Sequence, residues 1–257
     1  MPPLTVAMIQ AETHWHDPAA NRRMFDVALD RVSDGTDVVV LPEMFSTGFT
    51  MASAQMAEPM DGATVGWMRE AAVRLRSVIC GSLVIEDGGA FFNRFIWARP
   101  DGTLACYDKR HLFRMANEHE HYAAGGQRLV IELGSWRLCP LVCYDLRFPV
   151  WFRNRGDYDV LLCVANWPAV RQVAWNALLR ARAVENLAYA VGVNRVGEDG
   201  NGVAYRGGSA AYSFTGDTLL ETFDVPGVFT VTLERNALED YRASFPAWRD
   251  ADEFSIS

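Results

Sequence analysis

Three residues able to do chemistry stand at the ends of apolar stretches in this 257-residue chain: Glu43, Lys109 and Cys143. Cys143 follows Leu138-Cys139-Pro140-Leu141-Val142 and precedes Tyr144-Asp145-Leu146-Arg147-Phe148-Pro149-Val150-Trp151. A thiol where a strand turns into a new segment has the form of a nucleophile elbow, and amide dipoles at the start of that segment favour a thiolate. Read from this segment alone, a buried structural cysteine fits equally well. Val38-Val39-Val40-Leu41-Pro42-Glu43 puts a carboxylate at the end of a second apolar strand, and Asp108-Lys109-Arg110-His111-Leu112-Phe113 puts an ammonium after a third strand-like stretch. Thiol-driven amide hydrolysis needs a base to collect the thiol proton and return it to the leaving amine, and a positive group for the tetrahedral oxyanion.

The elements that must position these groups alternate between strand and helix patterns, as in a layered α/β fold. Thr5 to Gln10 reads as a buried strand, followed by Asp17-Pro18 as N-cap and first helical residue and a stop at Gly35. A helix from about Ala63 to Arg76 precedes a strand at Val78 to Ile85, with Phe91 to Arg99 as its hairpin partner. Leu129 to Leu133 pairs with Arg137 to Val142, and Val160 to Val164 is apolar enough for a strand covered on both faces. The next helix, from about Val170 to Asn186, is expected to bury the stripe Val173, Ala174, Ala177, Leu178, Ala181 and Val184. Strands at Ala188 to Asn194, Ser209 to Phe214, Thr218 to Phe223 and Val228 to Leu233 complete the set, with no repeat or linker.

Glu, Lys and Cys in this order on strand ends resemble the catalytic triad of the nitrilase superfamily of carbon–nitrogen hydrolases. The resemblance spans nearly the whole chain. It includes Gly125 closing Glu118-His119-Glu120-His121-Tyr122-Ala123-Ala124, then Ala165-Asn166-Trp167-Pro168, and then Arg180-Ala181-Arg182-Ala183-Val184-Glu185-Asn186. Tyr205-Arg206-Gly207 and the ending from Phe245 to Phe254 are most similar to the omega-amidase branch, which hydrolyses 2-oxoglutaramate and related omega-amides. The resemblance implies a single-domain α-β-β-α sandwich, with Glu43 as base, Lys109 as oxyanion partner and Cys143 as nucleophile. It also implies a thioester intermediate and no cofactor. Glu118 is the expected second glutamate, because its distance to Gly125 fits the family spacing, and Glu120 is its rival. An N-carbamoyl amino-acid hydrolase or a nitrilase of the same fold, and a catalytically silent binding member, are the alternatives.

Without the resemblance, Glu118 and Glu120 would read as solvated loop charges, and the nearby histidines invite other readings. His119 and His121 do not share a helix face, and no Cys or Asp at a zinc-type spacing joins them, so no metal site is expected. A dyad of Cys143 with His111 or His121 would leave Glu43 and Lys109 without a purpose. A substrate carboxylate needs a cation: Arg171, at a helix start after Trp167-Pro168, is the preferred candidate for a bidentate grip. Arg147 is expected to form a structural ion pair, with substrate binding as its other role, and Arg206 is a weaker candidate. Phe49, Tyr144 and Trp167 are expected to wall the substrate pocket.

Half of the residues are hydrophobic, enough for one large core, and the net charge of −8 without a basic run excludes nucleic acid and anionic membrane surfaces as partners. The start of the chain shows no basic region followed by an apolar signal core, and the five cysteines form no Cys-x-x-Cys pair. A cytoplasmic protein with unpaired thiols is expected, four of them packing residues. A homodimer or higher even-numbered assembly is expected, with the tail at about 245–257 as an interface segment.

Overall fold

In the computed structural model, which describes residues 1–255, the elements follow one another as β1 (Leu4–Gln10), α1 (Pro18–Leu29), β2 (Val38–Val40), α2 (Ser53–Met56), α3 (Ala63–Leu75), β3 (Val78–Asp87), β4 (Ala90–Ala98), β5 (Leu104–Asp108), α4 (Glu118–His121), β6 (Ile131–Leu133), β7 (Trp136–Val142), β8 (Val160–Ala165), α5 (Gln172–Asn186), β9 (Tyr189–Asn194), β10 (Val196–Glu198), β11 (Ala204–Tyr212), β12 (Thr218–Phe223), β13 (Gly227–Leu233) and α6 (Arg235–Ser244). They form two sheets, one in the order β13-β1-β2-β3-β4-β5 and the other β10-β11-β9-β8-β7-β6 with β12 on β11. The period-two alternation of the strands explains the layering. In β1, Leu4, Val6 and Met8 face the core shared with the second sheet. Ala7 and Ile9 on the opposite face pack with Phe25 and Leu29 of α1 and Val65 and Met68 of α3. α5 covers the outer face of the second sheet, completing the α-β-β-α sandwich in a single domain.

Most expected elements are present within a few residues, but α5 is turned differently from expectation. Its buried residues are Trp175, Leu179, Arg182, Ala183 and Asn186, while Val173 is 84% and Val184 is 45% exposed. The reason lies in the sheet beneath: a Cβ at Gly192 of β9 would come within 2.4 Å of Leu179 and 2.8 Å of Trp175. The bare glycine makes a notch for these two large side chains, which bury more apolar area than the two valines outside would. α1 also stops before Gly35, at Leu29, where Asp30 closes the last turn through its N–H. α2, α4, β10 and α6 have no counterpart among the expected elements.

One buried carboxylate fastens the C-terminal helix. Asp159, just before β8, accepts from Arg137 of β7 and from Arg242 of α6 at 3.0 and 2.8 Å, and pairs with Arg235 of α6. Beyond α6 the tail turns back onto its own chain, where the Phe254 carbonyl accepts from Arg155 at 2.9 Å. The last two residues of the expected interface segment lie outside the described residues.

Candidate active site

Three strand ends and the start of a short helix deliver the chemistry to one place. After β2 the chain turns sharply at Met44, whose φ of 40° is left-handed, and this turn buries the preceding Glu43 completely. Lys109 directly follows β5, its N–H donating to the Asn93 carbonyl of β4 at 3.0 Å. The loop beyond it returns so closely that a Cβ at Gly125 would lie 2.0 Å from the Asp108 carbonyl oxygen, so only glycine fits. That loop presents Glu118 from the start of α4. Cys143 sits at the end of β7 with φ of 48°, a backbone conformation that costs about 1–3 kcal/mol in a residue other than glycine. Asp145 sustains it: the buried carboxylate accepts from the Val142 N–H at 3.1 Å, the His111 N–H at 2.8 Å and the Tyr107 hydroxyl at 2.8 Å. One side chain thus ties the elbow to the segment carrying Lys109.

Lys109 Nζ donates to Glu43 at 3.0 Å and to both Glu118 oxygens at 2.9 Å, with all three side chains almost fully buried. Burial works against the charge of Lys109, but Glu118 and then Glu43 outweigh it and hold its pKa well above the ordinary lysine value. Burial pushes the Glu118 carboxyl upward against the pull of Lys109, and the charge of Glu43 adds to the rise. The Cys143 thiol is lifted well above its usual range by burial and then by the Glu43 charge, against the weaker pull of Lys109. The pull toward a thiolate expected from the amide dipoles of the elbow is thus outweighed, and the proton is left for the base to collect. The five-residue helical turn at Cys143–Arg147 is too short to offset burial beside a carboxylate. Glu120, rival of Glu118, has 61% of its side chain exposed and points away. His111 is held by Asp145 at 2.8 Å and stacked on Phe148, which removes it from the thiol, and His121 is exposed.

Cys143 and Lys109 open into a cavity of about 880 Å³ whose wall includes Phe49, Tyr144, Arg147, Trp167 and Arg171. The sequence profile of the carbon-nitrogen hydrolase family matches residues 5–243. The chain belongs to the carbon-nitrogen hydrolase family. Omega-amidase YafV of Escherichia coli (strain K12) is 48% identical to this hydrolase over 258 residues, all of both chains. The 2-oxoglutaramate amidase of Bacillus subtilis (strain 168) is 28% identical over 96% of each. A CN-hydrolase superfamily protein from Xanthomonas campestris, solved with an arsenic adduct in its active site, aligns over the whole of both chains with a TM-score of 0.98 and 48% identity.

Within this hydrolase two of the three arginines considered, Arg147 and Arg171, reach the cavity. The Arg147 guanidinium lies 4.8 Å above the Trp167 ring and that of Arg171 5.4 Å above Phe113. Among the described residues the structural ion pair expected of Arg147 does not form: its guanidinium stacks on Trp167, and Asp145, two residues earlier, is turned to the Val142 N–H and the Tyr107 hydroxyl. Arg206 is paired with Asp224 at 2.6 Å on the exposed surface and does not line the cavity. Two asparagines to which the sequence assigned no role complete the site. Asn166 donates its backbone N–H to Glu43 Oε2 at 2.8 Å and its side-chain amide to the Glu43 carbonyl at 2.7 Å. Asn194 holds the neighbouring turn, accepting from the Trp167 N–H at 2.8 Å and donating to the Trp167 carbonyl at 3.0 Å. An asparagine at the end of a strand, as in Ala165-Asn166, was the only available signal.

Proposed function

We propose that this carbon-nitrogen hydrolase is a cysteine-dependent omega-amidase acting on short 2-oxo acids, 2-oxoglutaramate first and 2-oxosuccinamate second. The observation that carries the reading is the buried Glu43–Lys109–Glu118 cluster beside Cys143 under a cavity walled by two arginines that have no carboxylate partner among the described residues. The names of the relatives, an omega-amidase and a 2-oxoglutaramate amidase, support the substrate class. Cys143 Sγ attacks the amide carbon as Glu43 takes the thiol proton. Lys109 Nζ and the Tyr144 N–H stabilise the oxyanion, and Glu43 returns the proton to the leaving nitrogen, which departs as ammonia. Water, activated by Glu43, then cleaves the thioester to the dicarboxylate and regenerates the thiol. Glu118 keeps Lys109 charged and in place. Arg171 grips the distal carboxylate, and Phe49, Tyr144, Trp167 and Arg147 shape the space between.

Ammonia release across a panel of omega-amides, ureido acids and nitriles tests the substrate class. The 2-oxo omega-amides should give the highest kcat/KM; a ureido acid or nitrile turned over faster would assign the chain to another reaction of the same fold, and no turnover of any would make it a silent binding member. The reading includes the cytoplasm as compartment, supported by five unpaired thiols. No helix among the described residues is long and apolar enough to cross a membrane. It also includes self-association, supported by the exposed apolar residues of α5, where Val173 and Val184 are 84% and 45% exposed.

A further inference from the structure

One fully buried side chain touches both carboxylates of the site without a role in the chemistry above. Asn93 of β4 donates Nδ2 to Glu43 Oε1 at 2.7 Å and to Glu118 Oε1 at 3.3 Å. Its own carbonyl oxygen accepts the Lys109 backbone N–H, so it contacts all three members of the cluster. Its orientation is set from behind. The Met44 N–H occupies an acceptor position on Ser82 Oγ at 2.9 Å, which directs the Ser82 proton to Asn93 Oδ1 at 2.8 Å. With Oδ1 committed to Ser82, both Nδ2 protons face the carboxylates. Lys109 brings one positive charge to two negative ones, and a neutral double donor adds two hydrogen bonds without adding a charge.

We propose that Asn93, oriented by Ser82, is a positioning residue that fixes the Glu43 and Glu118 carboxylates around Lys109, so that Glu43 is placed to take the Cys143 proton. The proposal rests on the reading of Glu43 as base. The charged and titratable groups facing Glu43 are Lys109 after β5, Glu118 and Tyr122 at α4, and Cys143 at the elbow with Cys163 behind it. Of the neutral donors around them, Asn93 is the one shared by both carboxylates.

The test uses Asn93→Leu, which keeps the volume and removes both donors, and Ser82→Ala, which keeps Asn93 and removes the lock on it together with the acceptor of the Met44 N–H. Two pH profiles are recorded on the full chain. One is kcat and KM for 2-oxoglutaramate; the other is the rate of Cys143 alkylation by iodoacetamide, followed by peptide mapping, which needs no substrate. Losing a donor to a carboxylate raises its pKa, so the acid limb of both profiles should move to higher pH by about one unit in Asn93→Leu. Ser82→Ala should show a smaller shift in the same direction. At neutral pH kcat should fall about 100-fold, the order of loss for a misplaced catalytic group, with KM little changed. Unmoved acid limbs in both variants, or a loss confined to KM, would overturn the proposal. If the unaltered chain hydrolyses none of the amides, the proposed function fails while the alkylation profile still decides on Asn93. If near-ultraviolet circular dichroism shows Asn93→Leu unfolded, the shift in Ser82→Ala decides.

Discussion

At the scale of single residues, the protonated resting state of Cys143 governs what substitutions should do. Because burial and the Glu43 charge hold the thiol neutral, its proton must leave as the new bond forms, and the base and nucleophile act as one unit. Cys143→Ser should leave less than a few per cent of turnover with the fold retained, since the hydroxyl is similar in size and a far poorer nucleophile; ammonia release and circular dichroism together check this. Glu43→Gln and Lys109→Met should each cost two or more orders of magnitude, about 3 kcal/mol or more for the oxyanion donor. The double variant should lose much less than the sum, because members of one catalytic unit fail together; single-turnover acylation rates of all three variants measure it. The two arginines separate on substrate charge. Arg171→Met should lose about 2–4 kcal/mol in kcat/KM for 2-oxoglutaramate and far less for a neutral amide of similar length. An equal loss on both substrates would move the carboxylate grip to Arg147, whose guanidinium reaches the same cavity over Trp167.

At the scale of elements, the site depends on how closely loops can approach strands. Gly125 lets the loop carrying Glu118 lie against the backbone around Lys109, and its N–H donates to the Lys109 carbonyl at 2.9 Å. Gly125→Ala should destabilise the protein by about 1–3 kcal/mol through overpacking. It should also cut kcat/KM by about 100-fold, as an ångström of displacement at Lys109 would. Thermal melting and steady-state assays read the two effects, and an unchanged kcat/KM would show that the Lys109 geometry does not depend on this approach. Strand positions were legible because a buried strand needs a short run of apolar residues, and Val38–Val40 and Val160–Ala165 supply one. The orientation of α5 was not, since two of its faces carry apolar residues and the choice between them is made by the notch at Gly192. α6 escaped notice because its buried positions are Arg235 and Leu238, one of them an arginine that needs Asp159 to be buried at all.

At the scale of the whole molecule, Asp159 joins the second sheet to the C-terminal helix. Burial works to raise its pKa, but hydrogen bonds from Arg137 and Arg235, with the charge of Arg137 and the bond from Arg242, outweigh it and hold the carboxyl below the ordinary aspartate value. Its stabilisation is therefore complete above a pH of about 4 and is lost as the pH falls through the depressed value in the folded state. Asp159→Asn should lower stability at neutral pH by about 3–5 kcal/mol, because three arginines lose their shared anion, and should flatten the acid limb of stability; denaturant melts between pH 3 and pH 7, about the range over which an aspartate titrates, check both. The exposed face of α5 should be covered in solution. Light scattering at micromolar concentration should give at least twice the chain mass, and Val173→Glu should reduce it, whereas a monomer mass for the unaltered chain would remove the assembly. The sequence by itself determined which residue types could do chemistry and that each sits at a strand end, because strand ends are marked locally by apolar runs meeting Pro, Gly or charge. Only the tertiary structure decided that Glu118 rather than Glu120 faces Lys109, that Arg147 stacks on Trp167 instead of pairing with a carboxylate, that the thiol rests protonated, and that Asn93, Asn166 and Asp145 hold the site. Burial, partner choice and pKa are set by residues many positions apart in the chain, and the physical forces that fix them act through distances the linear order does not contain.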